Sequence, residues 1–296
     1  MLNVSEAKIR CRQIRDEDIG AVIELLAKGF PERSRSHWAR GLERQRAQAL
    51  PDDSPRYGYL LESAAVPVGI ILLLCTSQHL GEEAVTRCNL SSWYVEPTFR
   101  SHASLLISFA IRQKQVTYVN ISPAKHTWPI VEAHGFTCYS SGQFLAAAAV
   151  NRAEPSVRLH EIKPGGSLPP QLKIASADAG LLTAHADYGC LSLVCEAADG
   201  GHPFVFQPIG VKRGLIRVPG AQLIYCGSIS DFVRFAGVLG RFLLKRGMVF
   251  VSLDANGPVE GLVGTFRTSW GRKYFKGPNA PRLGDLAYTE IAIFGP

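Results

Sequence analysis

The order of strand-forming stretches in this chain repeats. Apolar alternation or near-continuous apolar runs begin at Tyr57, Pro67, Cys88 and Val116, and again at Cys190, Pro203, Gln222 and Met248. The shift is nearly constant, about 134 residues, and an order of elements that recurs at fixed spacing marks one fold laid down twice. A helical stretch separates the third and fourth strands each time. In the first half it is Ser104–Ile111; in the second it carries Phe232, Phe235, Leu239 and Leu243 on one face. The copies share little residue identity, so the repeat is one of pattern. A length of 296 residues is enough for two domains or one large one, with ample material for a core. The expected organisation is a domain over 1–150, a Pro/Gly-rich linker over 151–170 with one short strand at Val157–Ile162, and a second domain over 171–296.

Composition excludes several classes. Hydrophobic residues at 46% and charged residues at 19% place the chain among globular proteins and outside the disordered ones. The longest apolar run, Val66–Cys75, is broken by Pro67 and Gly69 and is about half a membrane span. No apolar segment with a basic flank and a small-residue cleavage site opens the chain, so no signal peptide is expected. Seven cysteines, an odd number without CxxC spacing, fit buried thiols in a reducing cytoplasm better than a disulfide framework. The net charge of +7 is spread without a Lys/Arg run, which suits a polyanionic small molecule and does not point to nucleic acid.

The first half opens with a short strand, Cys11–Ile14, and an amphipathic helix with Ile19, Val22, Ile23 and Leu26 on one face. A second helix over Ser36–Leu50 turns Trp38 and Leu42 inward and Arg40, Arg44 and Arg46 to solvent. Two strands and a polar loop, Gln78–Glu83, lead to the central stretch 88–122. There strand, turn, helix and strand follow one another, the parts from which proteins build a phosphate cradle. A short helix within 122–132 and two strands, Thr137–Ser140 and Gln143–Val150, close this half. In the second half a helix near Leu172–Ala186 precedes the strands, and an aromatic and basic tail follows Leu253.

Ile14-Arg15, Asp18, Pro67-Val68-Gly69, Leu90 through Pro97, Arg100 with its helix, and Glu132-Ala133-His134-Gly135-Phe136 together resemble the GNAT superfamily of acyl-CoA-dependent N-acyltransferases. The resemblance covers about residues 8–150, and 171–296 looks like a divergent second copy. It implies an α+β fold of two tandem domains, each a mixed, mostly antiparallel sheet with a splayed central strand pair flanked by helices. It also implies acetyl-CoA or another acyl-CoA as co-substrate, a small-molecule amine as acceptor, and no metal. Backbone groups at Tyr94 and Val95 would pair with the pantetheine arm. The turn Arg100, Ser101, His102, Ala103, Ser104 and Leu105 would hold the pyrophosphate at a helix N-terminus.

This sequence departs from the family pattern at three places. Ala103 stands where the family has glycine and Leu105 where it has glycine or alanine, small residues that let phosphate approach the backbone. Val131 stands where many members have a tyrosine that protonates the leaving thiolate, a contribution of about 10²–10⁴ in rate. Tyr139 is the nominated replacement; Tyr118, Cys138, His126 and His134 are the other candidates near it. In the second copy the turn Gly227–Asp231 lacks an arginine, and Asp231 would oppose a pyrophosphate. The leading expectation is N-acyl transfer. A non-catalytic tandem module binding a small molecule or protein is the alternative, and aminoacyl or peptidyl transfer is a further one. No His/Cys/Asp/Glu cluster has metal-ligand spacing, and neither a Gly-x-Ser-x-Gly elbow nor a Walker motif occurs.

Overall fold

The computed structural model describes residues 9–80, 83–214 and 216–295. The chain divides into two compact units. Unit 1 comprises residues 1–137 with 275–280; unit 2 comprises 138–274 with 281–296.

Unit 1 contains β1 (Ile9–Gln13), α1 (Ile19–Gly29), α2 (Arg35–Ala47), β2 (Gly58–Ser63) and β3 (Val66–Leu80). It continues with β4 (Glu83–Val95), α3 (Ala103–Ala110), β5 (Thr117–Asn120) and α4 (Trp128–Ala133). The strands pair in the order β1-β2-β3-β4-β5, antiparallel except for the parallel pair β4·β5. β3 forms the centre because both its faces are apolar: from Val68 to Cys75 every residue is buried. α1 packs on the sheet through Val22, Leu25 and Leu26. In α2, Trp38 and Leu42 are buried as the spacing predicts, and Ser34 caps the helix by accepting from the His37 N–H at 3.2 Å. Beside β5 runs the returning segment 275–280. The Asn279 N–H donates to Thr117 Oγ1 at 3.1 Å. At Gly277 (φ 138°) a Cβ would lie 2.5 Å from the Val116 carbonyl oxygen, so only glycine fits.

Unit 2 contains β6 (Thr137–Ala146), β7 (Arg158–Ile162), α5 (Ser176–Asp187), β8 (Leu191–Ala197), β9 (Gly200–Arg213) and β10 (Ile216–Cys226). Then come α6 (Ile229–Lys245), β11 (Val251–Ala255), β12 (Gly264–Lys276) and α7 (Glu290–Ile293). Thr137 and the last two residues of β12 fall in unit 1. Its strands run β12-β6-β11-β10-β9-β8-β7, with β10·β11 parallel and β6·β11 antiparallel. The core lies under α6, where Phe232, Phe235, Leu239 and Leu243 are buried against Phe144, Leu223 and Leu253.

The observed boundaries correct the expected ones. The first unit ends at 137, not 150, because β6 pairs with β11 along Gly142–Ala146. The expected strands at 137–140 and 143–150 are one strand followed by a turn of 3-10 helix. The expected linker 151–170 is built into unit 2. β7 pairs with β8, and the backbone of 148–152 lies so close to α6 that a Cβ at Gly240 would be 2.3 Å from Ala148. Its Pro/Gly content reflects tight turns around an edge strand. The expected polar loop also shrinks: Gln78–Leu80 and Glu83 are in strands, and 81–82 lie outside the described residues.

The cysteine reading is corrected as well. Cys75 and Cys88 are register partners across β3 and β4 and form a disulfide. Their opposition comes from hairpin register and leaves no spacing motif. A disulfide is ordinarily the product of an oxidising compartment, so the cysteines do not support the cytoplasmic expectation. Among the described residues no helix is long and apolar enough to cross a membrane. Thiol titration of the denatured, unreduced protein is expected to count the five free cysteines, rising to all seven after reduction. Seven before reduction would contradict the pairing.

Candidate functional site

β4 outruns its neighbour. The parallel ladder with β5 holds only Arg87↔Thr117, Cys88↔Tyr118 and Asn89↔Val119, while β4 continues to Val95. On the other side its pairing with β3 continues to Gly69↔Val95 across a register shift. Leu72 faces Ser91 and Ile70 faces Tyr94, so Ser92 and Trp93 together oppose Ile71. Ser92 has φ 49°, a left-handed backbone that a residue with a Cβ seldom adopts. This is a β-bulge, which bends and twists the strand that carries it. From Leu90 onward β4 runs past the last register pair with β5, Asn89↔Val119.

Tyr94 and Val95 end the part of β4 that lies beyond its register with β5. The Tyr94 ring packs over the end of α1, where a Cβ on Gly29 would be 2.5 Å from Tyr94 Cγ. Val95 is buried beside Gly69. The strand end is held by the Glu96 N–H, which donates to the Val68 carbonyl at 2.8 Å, and by the ion pair Lys28–Glu96.

Beyond it the turn is wound. Pro97–His102 is a 3-10 helix that runs directly into α3; the Phe99 N–H donates to Glu96 O at 2.9 Å and the Ala103 N–H to Arg100 O. Amides that an open loop would aim outward are bonded three residues back. What the turn presents is side chains. Arg100, Ser101, Ser104 and Leu105 are exposed, Ala103 is half-buried, and half-buried His102 has Nδ1 3.2 Å from Ser101 Oγ. A recess of about 640 Å³ lies on the same unit between α1, α2 and the β2–β3 turn, with Leu25, Val66 and Pro67 among its lining. Its carboxylates are already paired, Glu24 with Arg35 at 2.7 Å and Glu96 with Lys28.

The nominated proton donors are dispersed. Tyr139 is in unit 2 on β6, where its carbonyl accepts from Asn256 Nδ2 at 3.0 Å. Val131 is a core residue of α4. Tyr118 is buried within the β4·β5 ladder; its hydroxyl accepts from the Gln113 N–H at 3.3 Å, and burial pushes its phenol up to about 12. His126 is exposed. Half-buried His134 is held below the usual imidazole range by burial and by the Lys276 ammonium, which donates to the His134 carbonyl. Among the described residues no group of His, Cys, Asp and Glu could hold a metal ion.

Unit 2 repeats the construction with other side chains. β10 pairs with β11 only at Ala221↔Val251 and Gln222↔Ser252, runs on to Cys226, and has a register shift between Leu223 and Tyr225. Ser228 caps α6 by accepting from the Asp231 N–H at 3.0 Å. His202 stands between carboxylates, Nε2 3.3 Å from Asp199 and Nδ1 3.6 Å from Asp231. Carboxylates at this helix start oppose an anion.

Sequence reasoning missed a buried polar group in unit 2. Lys273 Nζ lies 2.8 Å from Asp254 Oδ1, with both side chains almost fully buried, and donates to Gly271 O at 3.1 Å. Gln143 joins them, accepting from Ser252 Oγ at 3.1 Å and donating to Gln222 at 3.3 Å. Burial raises the Asp254 carboxyl and the Lys273 ammonium draws it back down. The alternation of polar with apolar residues along 252–255 is the only signal the sequence carried.

No protein-family model and no curated protein sequence matches the chain. Solved structures do. A GCN5-related N-acetyltransferase from Anabaena variabilis superposes with a TM-score of 0.59 at 12% identity, covering 90% of this chain and 72% of its own. One from Kribbella flavida gives 0.58 at 15%, covering 92% and 72%. A putative acetyltransferase from Pyrococcus horikoshii gives 0.56 at 14%, covering 95% and 93%. The chain has the fold of the GNAT acyltransferases, and each match takes in both units.

Lys273→Ala is expected to cost about 3–5 kcal/mol, because it strands a buried carboxylate. In that variant the folded Asp254 pKa rises further above its unfolded value. Stability is therefore retained at low pH and lost as pH rises. Urea melts should show a smaller loss at pH 5 than at pH 8; an equal loss would contradict the assignment.

Proposed function

We propose that unit 1 is an acyl-CoA-dependent N-acyltransferase site, with acetyl as the default acyl group and a small-molecule amine as acceptor. The observation that carries this reading is the parting of β4 from β5 after Asn89, with the bulge at Ser92 and a helix following at once. An opened strand edge supplies N–H and C=O groups spaced to bond an extended amide-bearing arm, which is what pantetheine is. Exposed Arg100, Ser101 and Ser104 lie where the arm's pyrophosphate would emerge. The 3-10 winding takes backbone amides out of that role, so their side chains carry the contact. Arginine provides a charge-assisted, two-pronged donor for such oxygens.

Chemically, the amine nitrogen attacks the thioester carbonyl, the C–N bond forms and the C–S bond breaks; the nitrogen gives up one proton and the departing thiolate takes one, so no net proton is consumed. Backbone N–H groups at the splay would stabilise the developing oxyanion. No side chain of unit 1 is assigned as the general acid. The buried Val131 and the wound turn are the two observations that favour the second reading, a module that binds without catalysing.

Calorimetric titration with acetyl-CoA and with CoA separates the outcomes. Binding is expected, and Arg100→Ala should weaken it about tenfold or more, the scale of one charged hydrogen bond. No binding at millimolar ligand would defeat the enzyme reading and leave a module that binds some other molecule. Binding without acyl transfer to any of a panel of amines would favour the second.

A further inference from the structure

The opened edge of β10 in unit 2 is already filled by this chain. Past the last ladder pair with β11, Gln222↔Ser252, the backbone of β10 bonds to residues 284–286. The Cys226 N–H donates to Gly284 O at 3.0 Å, the Leu286 N–H donates to Ile224 O at 2.7 Å, and Tyr225 and Asp285 face each other as an antiparallel bridge. Arg282 adds a bond from Nη1 to Cys226 O at 2.6 Å, and its guanidinium lies 5.0 Å from the Tyr225 ring centre.

The residues of this segment suit that place. Gly284 has φ 77°, and a Cβ there would be 2.6 Å from Cys226 Sγ, so both conformation and space require glycine. Leu286, Ala287 and Thr289 are buried, and Ala292 and Ile293 after them are fully so. A buried imidazole secures the far end. The Nδ1–H of His185 donates to Leu181 O at 2.8 Å, which leaves Nε2 to accept from the Tyr288 N–H at 3.1 Å.

We infer that unit 2 is a self-occupied copy: residues 282–286 are the permanent occupant of its splayed edge, and the chain takes one acyl-CoA, in unit 1. This rests on the reading of unit 1 given above only for the second clause. The first stands on the hydrogen bonds themselves. A buried strand edge must find partners for its amides and carbonyls. The burial of the tail makes it part of the unit 2 core.

Amide hydrogen exchange with and without millimolar CoA tests this on the full chain. Segments 223–226 and 284–288 are expected to be protected without ligand and unchanged with it, while 90–95 slows on addition. Exchange that speeds up in 284–288 as CoA binds, or protection of 223–226 that appears only then, would overturn the inference. Protection at both segments with no response anywhere leaves the plug standing and defeats the unit 1 reading instead. Two variants complete the test. Gly284→Val should abolish protection of Cys226 and Leu286, and the milder Arg282→Ala should raise their exchange about fivefold, the scale of one lost hydrogen bond. Unchanged exchange at both residues in Arg282→Ala would overturn the assignment.

Discussion

A strand that leaves its neighbour inside a folded domain exposes a row of amides and carbonyls that must be satisfied by something. Each unit creates this situation once, at the parallel pair β4·β5 and at β10·β11, after three and two ladder pairs respectively. In each, an antiparallel partner on the far side stays paired across a register shift, so the strand can turn away without detaching from the sheet. The two units differ in what meets the opened edge. In unit 2 it is Gly284 and Leu286. In unit 1 the wound turn and the exposed Arg100 stand at its end, and a ligand is the proposed partner.

That difference also organises the helix starts. A helix beginning beside an opened strand offers a positive end to anions. Unit 1 follows its strand with Arg100 and hydroxyls. Unit 2 follows its strand with Asp231, near Asp199 and His202, which suits a helix cap and repels phosphate. The charge pattern and the occupied edge therefore point the same way: unit 2 builds structure at the place where a ligand site is proposed for unit 1.

Much of the fold was legible because its signals are local. The inward Trp38 and Leu42, the apolar β3 run and the Phe232–Leu243 face each follow from periodicity, and the repeat offset follows from their order. What was hidden depends on contacts distant in sequence. β6 reads as the close of the first half, yet it bonds to β11 more than a hundred residues later. Cys75 and Cys88 meet because the β3–β4 register sets them opposite each other, in a hairpin that runs on through the polar Ser77, Gln78 and Thr86. The segment 284–286 has no period at all, being a short bridge defined by its partner. In the candidate site, Arg100 and the strand end were readable, whereas the 3-10 winding of Pro97–His102 and the placement of Tyr139 in the other unit were not.

The central claim is that the edge of β4 beyond Asn89 receives the arm of an acyl-CoA. A crystal structure of the chain grown with CoA tests it most directly. The expected result is one ligand per chain, with pantetheine amides bonded to the backbone of residues 91–95 and pyrophosphate oxygens at Arg100. A ligand bound along β10 with the tail displaced, or bound away from both strands, would contradict it.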